Sequence, residues 1–278
     1  MMTDADLLRS LVPGRLGMRP GITRWLSRRG AAVPCILVAP TVAEIQELPE
    51  KTPVLAAQPL DQEAAALIQE RPYGKILPRI VPTCFFPPGD GADVFGATRR
   101  YHLEARPRLV VLPPYQSGPR LTQLLQLAQR LSARGGEMVL LDGLSAREHL
   151  APLVGRMGLA EYLVFLPELT PAEVAGVLMG ADVVLVLDGE RVPRMLASWS
   201  LAVGNPLVVD YQAAAATVLG GAALWVYSAA VEVWVAAVER ALDDGRVREE
   251  LTRRALSLTE EWREDVSVPL WQAALTGG

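Results

Sequence analysis

Three short loops carry the residues best suited to chemistry, and each directly follows an apolar run. After residues 183–187 come Asp188, Gly189, Glu190 and Arg191, with Pro193 and Arg194 opening a helical pattern. A helix N-terminus offers free amides to an anion, and Arg191 and Arg194 would add positive charge. This loop therefore suits a nucleotide or a phosphate. A capped turn carrying solvated charges remains the alternative. After residues 138–141 stand Asp142 and Gly143, which would line the same crevice or, on the blander reading, make a tight turn that glycine permits. After residues 109–112 comes the stretch from Pro114 to Gly118, with Tyr115 able to stack on a base and Ser117 able to hydrogen-bond. These would form a third wall.

Other chemistries lack residues. The two cysteines, Cys35 and Cys84, and the two histidines, His102 and His149, lie far apart without ligand spacing, so no metal site is expected. His149 sits inside a helical pattern and His102 has no nucleophile near it in sequence; both read as partly buried or solvated. No Gly-x-Ser-x-Gly elbow and no His-Glu-x-x-His helix occurs. The stretch 89–95 (GDGADVF) neither ends a strand nor opens a helix on this reading, as a phosphate loop requires.

The elements that must position the three loops are legible. Short apolar runs at 35–39, 53–57, 76–81, 109–112, 138–141, 162–166, 183–187, 207–209 and 224–227 alternate with helical patterns, the signature of a parallel sheet flanked by helices. In such sheets ligands bind beyond the carboxyl ends of the strands. Helix starts are marked by capping boxes, in which a hydroxyl accepts from the N3 amide and a glutamate reaches back: Thr41 with Glu44, Ser145 with Glu148, and Thr170 with Glu173 beside Pro171. Leu121, Leu124, Leu125, Ala128 and Leu131 form one apolar stripe against the sheet. The stretch 82–107, with Pro87, Pro88 and Gly89, breaks the rhythm and reads as a link, so the domains are placed at 1–105, 106–255 and 256–278. The last of these is a terminal helical segment interrupted by Pro269.

Composition narrows the function further. Half of the 278 residues are hydrophobic and the net charge is −4, the profile of a packed globular chain with no basic stripe for nucleic acid. The N-terminus, with Asp4 and Asp6, does not read as a signal peptide. The apolar stretch 222–238 is broken by Ser228 and Glu232, too short for a membrane span. The expected location is the cytoplasm, with the cysteines as buried thiols in a reducing compartment.

From Arg108 onward the order of elements resembles the C-terminal domain of retaining GT-B glycosyltransferases of the group-1, family 4-like class. The carrying segments are RPRLVVLPPYQSGPRLTQLLQLAQRL, GEMVLLDG, LAEYLVFLPELTPAEVAGVLMGADVVLVLD and AVGNPLVVD, in that order. Ahead of them, ILPRIVPTCFFPPGDGADVF resembles the interdomain strand and loop, so the resemblance covers roughly 54–260. It implies a GT-B-like α/β fold of two Rossmann-like parallel-sheet units, the first reduced, with a C-terminal helix pair. It also implies a nucleotide sugar as ligand, no cofactor, and transfer of the sugar to an unidentified acceptor.

The departures qualify that implication. The class carries two glutamates separated by seven residues, one for the donor sugar and one for the ribose. An ungapped alignment places Arg191 and Trp199 there, with Glu190 one residue early. The loop after 109–112 also has no cation until Arg120. A non-catalytic relative is therefore the rival expectation: a binding or scaffold subunit of a homodimer or of an active transferase, because a reduced first unit would leave a sheet edge uncovered. A nucleotide or sugar-phosphate sensor is a third.

Overall fold

The computed structural model describes residues 15–19, 22–26, 35–38, 45–46, 48, 54–57, 62–71, 74–86, 94–115, 119–188, 194–211 and 219–276. Two compact units divide the chain: Met2–Pro82 with Glu261–Gly278, and Thr83–Glu260.

The first unit holds a five-stranded sheet in sequence order: β1 (Arg15–Arg19), β2 (Ile22–Leu26), β3 (Cys35–Val38), β4 (Val54–Ala57) and β5 (Gly74–Leu77). The pairs β3–β4 and β4–β5 are parallel, while β1–β2 and β2–β3 are antiparallel. The hairpin β1–β2 is not among the apolar runs in the sequence. Its strands, RLGMR and ITRWL, mix arginines with apolar residues, which suits an antiparallel sheet rather than strands covered on both faces. Helix α1 (Gln62–Gln69) joins β4 to β5 and buries Ala64 and Ile68 among Ile45, Leu48, Val54 and Ala56.

A helix from the far end of the chain completes this unit. The backbone of Val81 bridges Arg263 in parallel, and Trp271, 1% exposed, donates its indole N–H to the carbonyl of Pro78 at 2.7 Å. The terminal helical stretch breaks at the 3-10 turn Glu260–Trp262 and not at Pro269, which lies inside the last helix, Glu264–Thr276. Proline removes one bond to the carbonyl four residues back; here that residue is Asp265, an exposed residue in the first turn of the helix.

The second unit is built on a six-stranded sheet: β6 (Arg108–Val111), β7 (Glu137–Leu140), β8 (Leu163–Phe165), β9 (Val183–Val186), β10 (Leu207–Asp210) and β11 (Ala223–Val226). All pairs are parallel, and the spatial order is β11-β10-β9-β6-β7-β8. The nine apolar runs of the sequence each contain one of the strands β3–β11 or overlap it within a few residues.

Between these strands run α2 (Val94–Arg100), α3 (Pro119–Ser132), α4 (Leu144–Arg156), α5 (Pro171–Met179), α6 (Arg194–Val203), α7 (Val231–Asp243) and α8 (Gly245–Thr259); α9 is Glu264–Thr276. One sheet face, with Leu109, Val111, Leu140, Leu185 and Val208, packs on α3, α4 and α7. Leu124, Leu125, Ala128 and Leu131 of the expected stripe lie in that core; the side chain of Leu121 is outside the described residues. Helix α6 is buried all round, from Leu196 to Ala202.

Of the three capping boxes, Thr170 and Glu173 form theirs in full, with Pro171 in the first turn. The one at Ser145 does not form. Helix α4 starts at Leu144, two residues ahead of the start a Ser145 cap would give, with Gly143 as its cap, because the turn from β7 is too short to leave Ser145 outside the helix. The box at Thr41 lies outside the described residues.

The stretch expected to be a link holds structure. A 3-10 turn spans Thr83–Phe85, and α2 packs on α5, with an ion pair from Arg100 to Glu173. Since α2 starts at Val94, the 89–93 stretch does lead into a helix, contrary to the expectation from sequence. At the amino ends of the strands, Arg108 and Glu137, 1% and 5% exposed, form a buried ion pair. Arg108 also donates to the carbonyls of Leu103 and Gly180, so its desolvated guanidinium is met on several sides.

Candidate functional site

The strand order decides where a ligand can sit. The chain winds outward from β6 to β8 on one side and from β9 to β11 on the other, so the direction of winding reverses between β6 and β9. In open parallel sheets such a reversal point, at the carboxyl ends of the two strands, is where a ligand crevice forms. Neighbouring strands are about 4.8 Å apart. The loops after β6, β9 and β7 therefore stand side by side, and these are the loops that carry the expected site residues.

After β6, the ring of Tyr115 is half-buried and packs on the core. Its hydroxyl lies 2.6 Å from the carbonyls of both Val111 and Leu141, and its one proton serves the two. The phenol thus ties the ends of β6 and β7 together, leaving only part of the ring for stacking. Burial, and then the charge of Asp142, push its pKa well above the usual 10.0. Ser117 lies outside the described residues.

After β7, the turn uses its residues differently from the expectation. The left-handed conformation falls on Asp142, with φ 53°, not on Gly143. Asp tolerates that region better than most residues. Gly143 is required for a different reason: a Cβ there would stand 2.8 Å from the Cβ of Leu140 and 2.9 Å from its carbonyl oxygen. Its amide donates to the carbonyl of Leu166 at 2.9 Å, which holds the turn to the end of β8.

After β9, Asp188 is partly buried at the strand tip. Gly189, Glu190 and Arg191 lie outside the described residues, as does the side chain of Arg194. Helix α6 opens at Arg194, so its N-terminal amides lie on the carboxyl side of the sheet, beside the crevice.

Trp199 lies five residues into α6, about 7.5 Å along its axis. It is 2% exposed and stacks on Phe85, ring centroids 4.3 Å apart and 20° from parallel. At the position where the resemblance implies an acid, this chain has a core residue. The exposed His102 and His149 lie on the surface, and Cys84 is a partly buried thiol. Among the described residues no cluster of His, Cys, Asp and Glu could hold a metal ion, and no helix is long and apolar enough to cross a membrane. A concavity of about 730 Å³ lies at the turn from α7 to α8, lined by Glu239, Asp243, Asp244, Arg246 and Glu249. Since α7 runs back from the carboxyl end of β11, this concavity is at the opposite edge of the sheet from the crevice.

No protein-family model and no curated protein matches the sequence. Solved structures do match the fold. WaaG, a glycosyltransferase involved in lipopolysaccharide biosynthesis, aligns with a TM-score of 0.58 at 13% identity, over 81% of this chain and 63% of its own. HepE of Anabaena, solved in complex with UDP and glucose, aligns at 0.63 and 10% identity, over 87% and 71%. The C-terminal domain of a group 1 glycosyltransferase family protein from Francisella tularensis, LpcC, aligns at 0.51 and 12% identity, over 65% of this chain and 96% of that domain. The chain spans less than two thirds of the length of WaaG. Its fold is that of the GT-B glycosyltransferases of the group-1 kind.

Proposed function

We propose that the chain is a glycosyltransferase that takes a nucleotide sugar at the crevice between the β6 and β9 loops and passes the sugar to an acceptor. The observation that carries this reading is the strand order, which sets the loops of Tyr115, Asp142 and Asp188 at one reversal point beside the N-terminus of α6. The binding of UDP and glucose by HepE, a structural neighbour, supports the choice of ligand.

On this reading the donor diphosphate lies against the first amides of α6, with Arg191 and Arg194 beside it in sequence. Gly143 keeps the turn after β7 tight against Leu140, and Asp142, Asp188, Glu190 and Ser117 offer hydrogen bonds to the hydroxyls of the donor. Catalysis then comes from holding donor and acceptor in line and from stabilising the charge that develops on the leaving diphosphate. Trp199 cannot take the part of a ribose-binding acid, so ribose recognition falls to the loops.

Calorimetric titration of the full chain with UDP, GDP and their sugars tests the reading. The expected result is micromolar binding of one nucleotide family, weakened about tenfold by Arg191→Ala, as loss of a hydrogen bond to a charged group predicts. Indifference to every nucleotide would overturn it in favour of a binding or scaffold subunit, in a homodimer or beside an active transferase.

A further inference from the structure

Beyond the crevice, the carboxyl edge of the sheet carries an aromatic cluster to which the donor reading gives no role. Tyr211 directly follows β10 and Tyr227 directly follows β11. The amide of Tyr211 donates to the carbonyl of Val226 at 2.9 Å, so the two residues continue the strand ladder. Their rings stack with centroids 4.5 Å apart and 28° from parallel, and Trp225 meets Tyr211 edge-on at 5.7 Å. By strand alternation the three rings share one sheet face. Tyr227 is 73% exposed and Tyr211 41%. One face of Tyr227 rests on Tyr211, and the residue is otherwise largely exposed.

Charge narrows the ligand. No lysine or arginine occurs between Arg194 and Arg240, a stretch that includes both β10 and β11. A phosphate-bearing ligand or an anionic lipid surface would call for cations on these strand tips. A neutral ring with an apolar C–H face and a rim of hydroxyls does not. It would lay its C–H face on the open tyrosine and bond its hydroxyls to the phenols, the pairing of apolar body and polar tip that exposed tyrosines provide. Position agrees. Strand β10 adjoins β9, so Tyr227 stands two strand spacings, about 10 Å, from the strand whose tip carries Asp188. That is the span of two sugar rings.

We propose that Tyr211 and Tyr227 form a stacking platform for a neutral saccharide, which is the acceptor of the transfer. This rests on the glycosyl-transfer reading above.

Saturation-transfer NMR on the full chain with maltohexaose, cellohexaose, mannohexaose and chitohexaose, each with a parallel UDP titration, tests it. One oligosaccharide is expected to take up saturation at its ring C–H protons. Tyr227→Ala and Tyr211→Ala should each weaken its binding about fivefold, while Tyr227→Phe, which keeps the ring and loses one hydroxyl contact, weakens it less, and UDP binding is unchanged throughout. A melting curve like that of the parent chain checks that each variant folds. The platform is overturned if no oligosaccharide binds, or if binding is the same in the alanine variants. Loss of UDP binding in Tyr227→Ala would overturn it too, by making the rings a nucleobase contact. So would a dimer in sedimentation that Tyr227→Ala dissolves. Tyrosine-dependent saccharide binding without any nucleotide binding would uphold the platform and bring down the transfer reading alone.

Discussion

Trp199 and Tyr115 are both aromatic residues at positions where the resemblance or the loop pattern implies ligand contact, and packing has claimed each of them to a different degree. Trp199 is fully enclosed against Phe85. Trp199→Ala should cost about 3–5 kcal/mol in urea unfolding, the range for emptying a large core site. Trp199→Glu, which restores the implied acid, should cost more, because the carboxylate would be buried without a partner. Tyr115 predicts a pH effect. Its pKa is raised in the folded state by burial, then by Asp142, so above pH 10 the unfolded chain loses this proton while the folded one keeps it. Stability is then full below pH 10 and falls as pH rises beyond it. Tyr115→Phe should flatten that alkaline slope in denaturant titrations at pH 9 to 11. The sequence placed both residues in the right segments. It gave no sign of which way their rings turn, since that depends on Phe85, more than a hundred positions away, and on the carbonyls of two different strands.

At the scale of elements, local signals were legible where one turn of chain contains the whole device. The capping box at Thr170 and Glu173 is such a case: the Thr170 amide and then its hydroxyl hold the Glu173 carboxyl below its usual 4.5. The contribution is therefore present above about pH 4.5 and is lost as pH falls through the lower folded value. Thr170→Ala should cost about 1 kcal/mol at neutral pH, and Glu173→Gln should reduce the acid sensitivity of thermal unfolding. Ser145 with Glu148 has the same spacing and forms no box, because the tight turn at Asp142 and Gly143 starts the helix two residues too soon. The strands of the parallel sheet were visible as continuous apolar runs. The hairpin of β1 and β2 leaves no such run, because arginines interrupt both of its strands. Tyr211 and Tyr227 each stand first after a strand of the parallel sheet, the place where an open α/β sheet meets its ligands.

For the whole molecule, the two units predict separable responses. Trp271 belongs to the first and Trp199 to the second. In hydrogen-exchange experiments Trp271→Ala should lower amide protection in β4 and β5 while β6–β11 keep theirs, and Trp199→Ala should do the reverse. The second unit was the easier to foresee, since it is one unbroken stretch of chain and its order of strands follows from alternation. The composition-based boundary at 105 and the packing boundary at 83 differ by a segment whose proline-rich start masks the 3-10 turn and α2. That Glu264–Thr276 closes the first unit was not legible at all, because a contact across such a separation leaves no local pattern.

The indole bond from Trp271 to Pro78 spans 193 positions, and it sets an order of events as the protein is made. Residues 2–82 leave the ribosome well before the helix that packs on them, and the stretch between is synthesised in the meantime. Residues 83–260 can fold as they emerge, as contiguous domains do. The Trp271–Pro78 bond can close only after Glu264–Thr276 has emerged, so the five-stranded sheet gains its last packing partner after the second unit has been made.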